Sequence, residues 1–224
     1  MNPREAMLRR LIWLAVFGAA FAMVEASVVV YLRALYYPVG FTFPLKEIPR
    51  PHLAVELGRE AATIVMLVAA GMITGTTAWS KFAGFLVAFG VWDILFYVWL
   101  KVLVDWPLSI VDWDILFLLP APWIGPVIAP VSIAMLMVVL GADLALRESA
   151  GAAFRPGVDS WVCGVGGTAV LLFSFMRDTD AGLRGAMPEP YRFELLVAGI
   201  VLYVVGYVLA RRRRWDRTLA TGKG

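Results

Sequence analysis

Residues 11–35 read LIWLAVFGAAFAMVEASVVVYLRAL, and this stretch decides the fold class of the chain. Only Glu25 and Arg33 carry a charge within it. A helix needs about 20 apolar residues to cross roughly 30 Å of hydrocarbon. The stretch is long enough and apolar enough for that, so it predicts a membrane-spanning helix.

Further apolar stretches of similar length follow, at residues 61–79, 82–104, 123–146, 161–176 and 193–210. Residues 110–119 are also apolar but have about half the spanning length, which favours a short re-entrant or interfacial helix. Prolines at 120, 122, 126 and 130 follow it, and irregular backbone at membrane depth must be buried in protein or line a wet cavity. We therefore predict one all-α domain over residues 1–224: a polytopic bundle of six transmembrane helices plus the re-entrant helix.

The composition excludes an ordinary soluble domain. Hydrophobic residues make up 61% of the chain and charged residues 17%, with a mean hydropathy of +0.78. In soluble domains roughly 45–50% of the residues are hydrophobic and about 25% are charged. The net charge of +3 depends largely on the basic tail, residues 211–224, which follows an apolar stretch directly. That position is typical of a membrane surface, so we expect the lipid bilayer and not nucleic acid as the partner.

Lysine and arginine in the short loops predict the orientation. One side holds Arg4, Arg9, Arg10, Lys81, Arg147, Arg155 and the basic tail; the other holds Arg33, Lys46, Arg50, Arg59, Lys101, Arg177, Arg184 and Arg192. The basic residues at the two termini make the first side the more positive one. We therefore predict that both termini lie in the cytoplasm (N-in/C-in). We expect a multi-pass protein of the cytoplasmic (plasma) membrane, and the short loops favour a prokaryotic source. The first helix should be retained rather than cleaved as a signal peptide, since its apolar run continues well past Ala20-Phe21-Ala22.

The rare residues exclude several kinds of site. Cys163 is the only cysteine, so the chain alone forms no disulfide, no Fe–S cluster site and no covalent haem attachment. His52 is the only histidine. The glycines at 164, 166 and 167 do not complete a nucleotide-binding motif, because no third spaced glycine and no preceding strand accompany them.

Acidic residues within the apolar helices are the strongest functional signal. Glu25 lies well inside the first predicted helix and Asp93 near the middle of the third. A charged side chain at a helix centre costs at least about 2.5–3.5 kcal/mol, so both should face the bundle interior. Each acid alone could be a neutral group bonded to a neighbour. Two of them on different helices favour a site.

Helical spacing extends this candidate site. Glu60 continues a stripe with Glu56, Thr63, Leu67, Ala70 and Thr74, and Tyr97 follows Asp93 by one turn. Asp114 lies in the predicted re-entrant segment. We predict a polar cavity in the outer half of the bundle that binds or relays a cation or proton; its residues are Glu25, Glu60, Asp93, Tyr97 and Asp114. The pentapeptide Trp-Asp-Ile-Leu-Phe occurs at 92–96 and again at 113–117, a repeat that chance could also produce.

Two alternatives stay open. His52, Glu56 and Glu60 are spaced to stack along one helical face as metal ligands, which would suit a membrane enzyme acting on a lipid-soluble substrate. Lys46, Arg50 and Arg59 could instead pair with those acids. The third hypothesis is a non-catalytic subunit or assembly factor, whose acids pair with charges of a membrane partner or of a second copy. The leading hypothesis is a transporter-like or channel-like protein.

Overall fold

The computed structural model describes residues 2–38, 41, 49–180, 184, 186 and 188–221, with side chains as far as Arg212. This part of the chain is mostly helical, as predicted. Its long elements, in chain order, are α1 (Pro3–Tyr36), α2 (Arg50–Thr74), α3 (Ala78–Val104), β1 (Trp113–Phe117), β2 (Trp123–Pro126), α4 (Ile128–Ser149), α5 (Val158–Met176) and α6 (Phe193–Thr221).

Five helices, α1, α3, α4, α5 and α6, are long and apolar enough to cross a membrane, which is compatible with a multi-pass membrane protein. α2 is not one of them. The crossing predicted at 61–79 ends at Thr74, and residues 75–77 form a turn before α3. The apolar part of α2, residues 61–74, therefore spans only about 21 Å.

Local signals fix where α1 and α3 begin. Asn2 accepts a hydrogen bond from the Arg4 N–H at 3.1 Å, and the Glu5 side chain accepts one from the Asn2 N–H in return. Thr77 and Ser80 form the same kind of reciprocal cap at α3. Such caps satisfy the free N–H groups of a first helical turn.

α3 is the central helix and packs against α1, α2 and α4. Glycines allow the closest approach between α3 and α4. A Cβ atom at Gly90 would lie 2.5 Å from the Ala134 carbonyl oxygen, and one at Gly141 would lie 2.9 Å from that of Ala83. Small residues of this kind let two membrane helices bring their backbones together.

The bundle has two distinguishable ends. Where α1 ends and α2 begins, the Tyr36 hydroxyl bonds the His52 ring, and the β-hairpin lies at this end; we name it the hairpin end. At the other end Arg10 donates to the Thr74 carbonyl at 2.9 Å, and Tyr207 of α6 contacts α4. Because the start of α1 and the later part of α6 both lie there, we name it the terminal end.

The re-entrant helix predicted at residues 110–119 is wrong. Residues Trp113–Phe117 form a strand that pairs antiparallel with Trp123–Pro126, with Asp114 opposite Gly125 and an irregularity between Ile115 and Phe117. Pro120 and Pro122 follow within a few residues, so they disfavour helix at this point and leave a turn. Aromatic and β-branched side chains in the remaining segment suit a strand.

The hairpin also shifts the next element. The crossing predicted from residue 123 begins as α4 only at Ile128, because β2 occupies Trp123–Pro126. At the C-terminus the predicted tail at 211–224 continues α6 as far as Thr221. Lys46 and residues 222–224 lie outside the described residues, as do the side chains of Arg213 and Arg214.

Candidate functional site

A cavity of about 130 Å³ lies at the hairpin end, between α1, α2, α3 and β1. All five residues of the predicted polar site line it: Glu25, Glu60, Asp93, Tyr97 and Asp114. Glu56, Arg33 and Arg59 line it as well. The acids predicted on separate elements therefore face one space, although Asp114 reaches it from a strand rather than from a helix.

Arg59 connects two of the acids. Its guanidinium group pairs with Glu25 of α1 and with Glu56 one turn earlier on α2, where Nε lies 2.9 Å from Oε2. Glu25 also accepts a hydrogen bond from the Thr63 hydroxyl at 3.1 Å. Glu56, Glu60 and Thr63 share one buried face of α2, which places this network against α1. These bonds compensate for removing the charges from water.

Arg33 pairs with Asp114, the acid on the hairpin. Its Nη2 lies 3.3 Å from Asp114 Oδ1, and its guanidinium carbon lies 3.8 Å from the Trp106 ring centroid. The Tyr97 hydroxyl donates to Asp114 Oδ2 at 3.2 Å. Burial raises the pKa of Asp114 to about 6, although Arg33 and Tyr97 both act to lower it. Asp114 is therefore ionised at neutral pH and becomes protonated in mild acid.

Glu60 fixes the end of the first strand. Its two carboxylate oxygens lie 3.1 and 2.9 Å from the Leu118 backbone N–H, immediately after β1. This N–H lies where the hairpin turns, and a carboxylate acceptor satisfies it without a paired strand. Glu60 thus ties the hairpin to α2 and keeps Asp114 beside the cavity.

Asp93 is different from the other acids. It is only 9% exposed and lines the cavity, yet no hydrogen bond or ion pair joins it to any residue that the structure describes. Asp114 is close enough for the two carboxylates to interact electrostatically. The adjacent Trp92 also lines the cavity, and its indole N–H is buried without a partner among the described residues. An acceptor and a donor with no partner among the described residues thus lie at one place.

Aromatic rings close the cavity on the side of the terminal end. The Trp92 ring lies 5.3 Å from that of Phe89, 6.4 Å from that of Phe21 and 6.2 Å from that of Phe117, centroid to centroid. Phe21 and Phe89 each precede a cavity acid by one helical turn. At the opposite side Tyr36, Tyr37 and Phe41 line the cavity. The polar cavity therefore lies near the hairpin end, and an apolar core separates it from the terminal end.

The structure does not bring His52, Glu56 and Glu60 together as metal ligands. All three are on α2, but the His52 ring bonds Tyr36, Glu56 pairs with Arg59 and Glu60 binds the Leu118 N–H. Within the described residues no group of three His, Cys, Asp or Glu side chains could hold a metal ion.

Arg33, Arg59 and Trp92 also line the cavity but are not among the predicted site residues. Arg33 lies inside an otherwise apolar run, the same signal that singles out Glu25. Arg59 follows Glu56 by three residues, a spacing that favours pairing on one helical face. Trp92 belongs to the repeated pentapeptide and to a tryptophan-rich stretch, and neither feature points to a site.

Comparison of the chain with family models, with curated proteins and with solved structures gives no match.

Proposed function

We propose that the cavity at the hairpin end binds a small cation or a proton, and that the protein passes it across a membrane as a transporter or channel. The observation that carries this proposal is the unpartnered carboxylate of Asp93, which lines the cavity beside Asp114. A buried carboxylate without a protein partner needs either a proton or a cation to compensate its charge.

The charge balance of the cavity supports this proposal. Among the described residues, five carboxyl groups line it against two guanidinium groups, so three negative charges are in excess when every carboxyl group is ionised. Arg33 neutralises Asp114, and the single charge of Arg59 is shared between Glu25 and Glu56. The excess is therefore one charge shared by Glu25 and Glu56 and one charge each on Glu60 and Asp93, which favours a positively charged ligand.

The size of the cavity restricts the ligand. Its volume of about 130 Å³ is well above the roughly 10–15 Å³ that one water needs, so several waters fit. Sites for organic molecules are usually larger, at roughly 300–1,000 Å³. A chain of waters that carries a proton fits this space. So does an ion that keeps most of its waters, since no three described acids are grouped to bind it directly.

The proposal includes the arrangement of the chain in the membrane. In the proposed arrangement all six helices cross the membrane. The polar face of α2 then lies against the cavity and not against lipid. Both termini are cytoplasmic, which places Arg9, Arg10, Arg211 and Arg212 on the inner side of a prokaryotic cytoplasmic membrane. The positive-inside rule and the location of these arginines at one end of the bundle support this orientation.

The test measures flux and binding in the purified protein. Proteoliposomes that contain a dye selective for H⁺, Na⁺, K⁺ or Ca²⁺ are given an inward gradient of that ion, and binding of each cation is measured by calorimetry in detergent. We expect Asp93→Asn to lower flux or affinity for the active species by about tenfold or more, because it removes a carboxylate that no described residue pairs with.

Asp105→Asn is the matched control. It makes the same chemical change on the same helix, but the Asp105 side chain is 82% exposed and its backbone is left-handed, a conformation that asparagine adopts readily. It should behave as the wild type does. Equal flux and binding in Asp93→Asn and wild type would overturn the proposal, as would wild-type protein that neither binds nor moves any of the four species.

A further inference from the structure

A second and larger cavity lies in the half of the bundle away from the polar site. Its volume is about 560 Å³, and residues of α3, α4, α5 and α6 line it. The lining is almost entirely apolar and aromatic, with Phe85, Leu140, Trp161 and Val165 as representative members. Because these helices are candidate membrane spans, a molecule dissolved in the bilayer is the natural occupant.

The cavity contains one hydrogen-bonding group without a partner. Ser160 lines it and is only 7% exposed, yet its hydroxyl oxygen has no hydrogen bond to any residue that the structure describes. A serine hydroxyl in an apolar helix usually bonds a carbonyl oxygen, because an unsatisfied donor is costly there. A ligand acceptor that enters the cavity would satisfy it.

Charged groups adjoin the cavity at the terminal end. Tyr207, which lines the cavity, donates to Asp143 at 2.6 Å. Asp143 in turn accepts from Arg147 Nε at 2.7 Å and lies 3.7 Å from Arg211 Nη1. Two guanidinium groups share one carboxylate, so this network carries one net positive charge, and Arg212 follows in an exposed position. The cavity thus has an apolar body and a rim that carries this basic network, with the Glu148 carboxylate, which accepts from the Phe154 N–H, also close to it.

We propose that this cavity binds a glycerophospholipid with an anionic headgroup. One acyl chain occupies the apolar space between α4 and α5, the Ser160 hydroxyl donates to an ester carbonyl, and the headgroup phosphate lies against Arg147 and Arg211. The apolar cavity suits an acyl chain, the Ser160 hydroxyl suits an ester carbonyl, and the arginines at the rim suit the headgroup phosphate. Basic rims of this kind between membrane helices recognise anionic headgroups.

Glycine creates part of this space. A Cβ atom built on Gly164 has no other atom within 4 Å, so a larger side chain there would extend from open space beside the cavity lining. Gly164→Leu is therefore a direct test of occupancy. Gly58→Leu is the matched control, because Gly58 also has open space around it but lies on the exposed side of α2.

The experiment uses delipidated full-length protein in detergent and two probes with identical chains, dioleoyl phosphatidylglycerol and dioleoyl phosphatidylcholine. Native mass spectrometry counts bound lipid, and a lipid titration gives the affinity. We expect the anionic probe to bind at least about fivefold more tightly, and Arg147→Gln or Arg211→Gln to remove about fivefold each. Gly164→Leu should abolish binding of the anionic probe while Gly58→Leu retains it.

Ser160→Ala keeps the test decisive if Gly164→Leu fails to fold, since it removes only the hydroxyl. We expect it to weaken binding of both probes by about fivefold, the effect of one lost hydrogen bond. Equal binding of the two probes would overturn the proposal. So would unchanged binding of the anionic probe in Ser160→Ala, or in a folded Gly164→Leu protein.

Discussion

Asp93 and Asp114 occupy the same position in the two copies of Trp-Asp-Ile-Leu-Phe, and both line one cavity. The first copy is helical in α3 and the second forms β1. The two acids differ in their partners: Asp114 binds Arg33 and Tyr97, whereas Asp93 binds no described residue. One acid of the pair is therefore held in place, and the other is available to a ligand.

Cation binding at the cavity is expected to weaken as the pH falls below about 6. The pKa of Asp114 is raised by burial to about 6, so its carboxyl group is charged above that pH and protonated below it. A proton bound there removes negative charge that a cation needs. Affinity should then fall by up to about tenfold per pH unit below 6, as for one competing proton. Calorimetric titrations at a series of pH values measure this.

Asp114→Asn provides the control for the pH dependence. The variant lacks one of the carboxyl groups that take up a proton, so its cation affinity should be lower and should change less over the same range. A wild-type affinity that does not change between about pH 7 and pH 5 would contradict the assignment of Asp114 to the site.

Arg59→Met should destabilise the folded protein. The substitution keeps much of the apolar contact of the side chain but leaves Glu25 and Glu56 buried without their cation. Removing one partner of a buried ion pair usually lowers the free energy of unfolding by about 3 kcal/mol or more. Unfolding in detergent, followed by circular dichroism, measures the loss.

Two further variants define the cause of that loss. Adding Glu25→Gln and Glu56→Gln to Arg59→Met should restore most of the stability, because neither side chain that Arg59 pairs with is then charged. Arg192→Met should have almost no effect, since its side chain is 58% exposed and its partner Glu194 is 65% exposed. Equal destabilisation by the single and the triple variant would mean that packing, not charge, explains the effect of Arg59.

Much of the cavity could be predicted from spacing and composition. The stripe on α2 is buried at Glu56, Glu60, Thr63, Leu67 and Thr74, as a 3.6-residue period requires. Glu25 and Asp93 stand out because charged groups are rare inside apolar helices. These signals depend only on the local sequence, so they can be recognised without knowledge of the fold.

The hairpin could not be predicted in the same way. Identical pentapeptides form a helix in one place and a strand in the other, so the five residues do not determine their own conformation. The difference comes from the surroundings: prolines end the second copy, while apolar helix continues on both sides of the first. The Glu60 bond to the Leu118 N–H joins residues far apart in sequence, and no local pattern reveals it.

Glu60→Leu should loosen the hairpin more than the rest of the chain. Leucine offers no acceptor, so the Leu118 N–H loses its bond in a partly buried place. Losing a charged acceptor costs about 1–3 kcal/mol, which corresponds to amide exchange faster by about fivefold or more. Hydrogen exchange of the peptide that contains Leu118 measures this, with Glu194→Leu as an exposed control. Unchanged exchange would show that Glu60 does not hold the strand.

Gly90→Ala should destabilise the bundle, and Gly164→Ala should not. Both positions are inside helices, where alanine has the higher intrinsic propensity by about 1 kcal/mol. At Gly90 the added Cβ would lie 2.5 Å from the Ala134 carbonyl oxygen, so α3 and α4 must separate; at Gly164 it meets open space. Thermal unfolding in detergent should therefore give a lower midpoint for Gly90→Ala and an equal or higher one for Gly164→Ala. Equal midpoints for both variants would mean that close backbone approach does not hold α3 against α4.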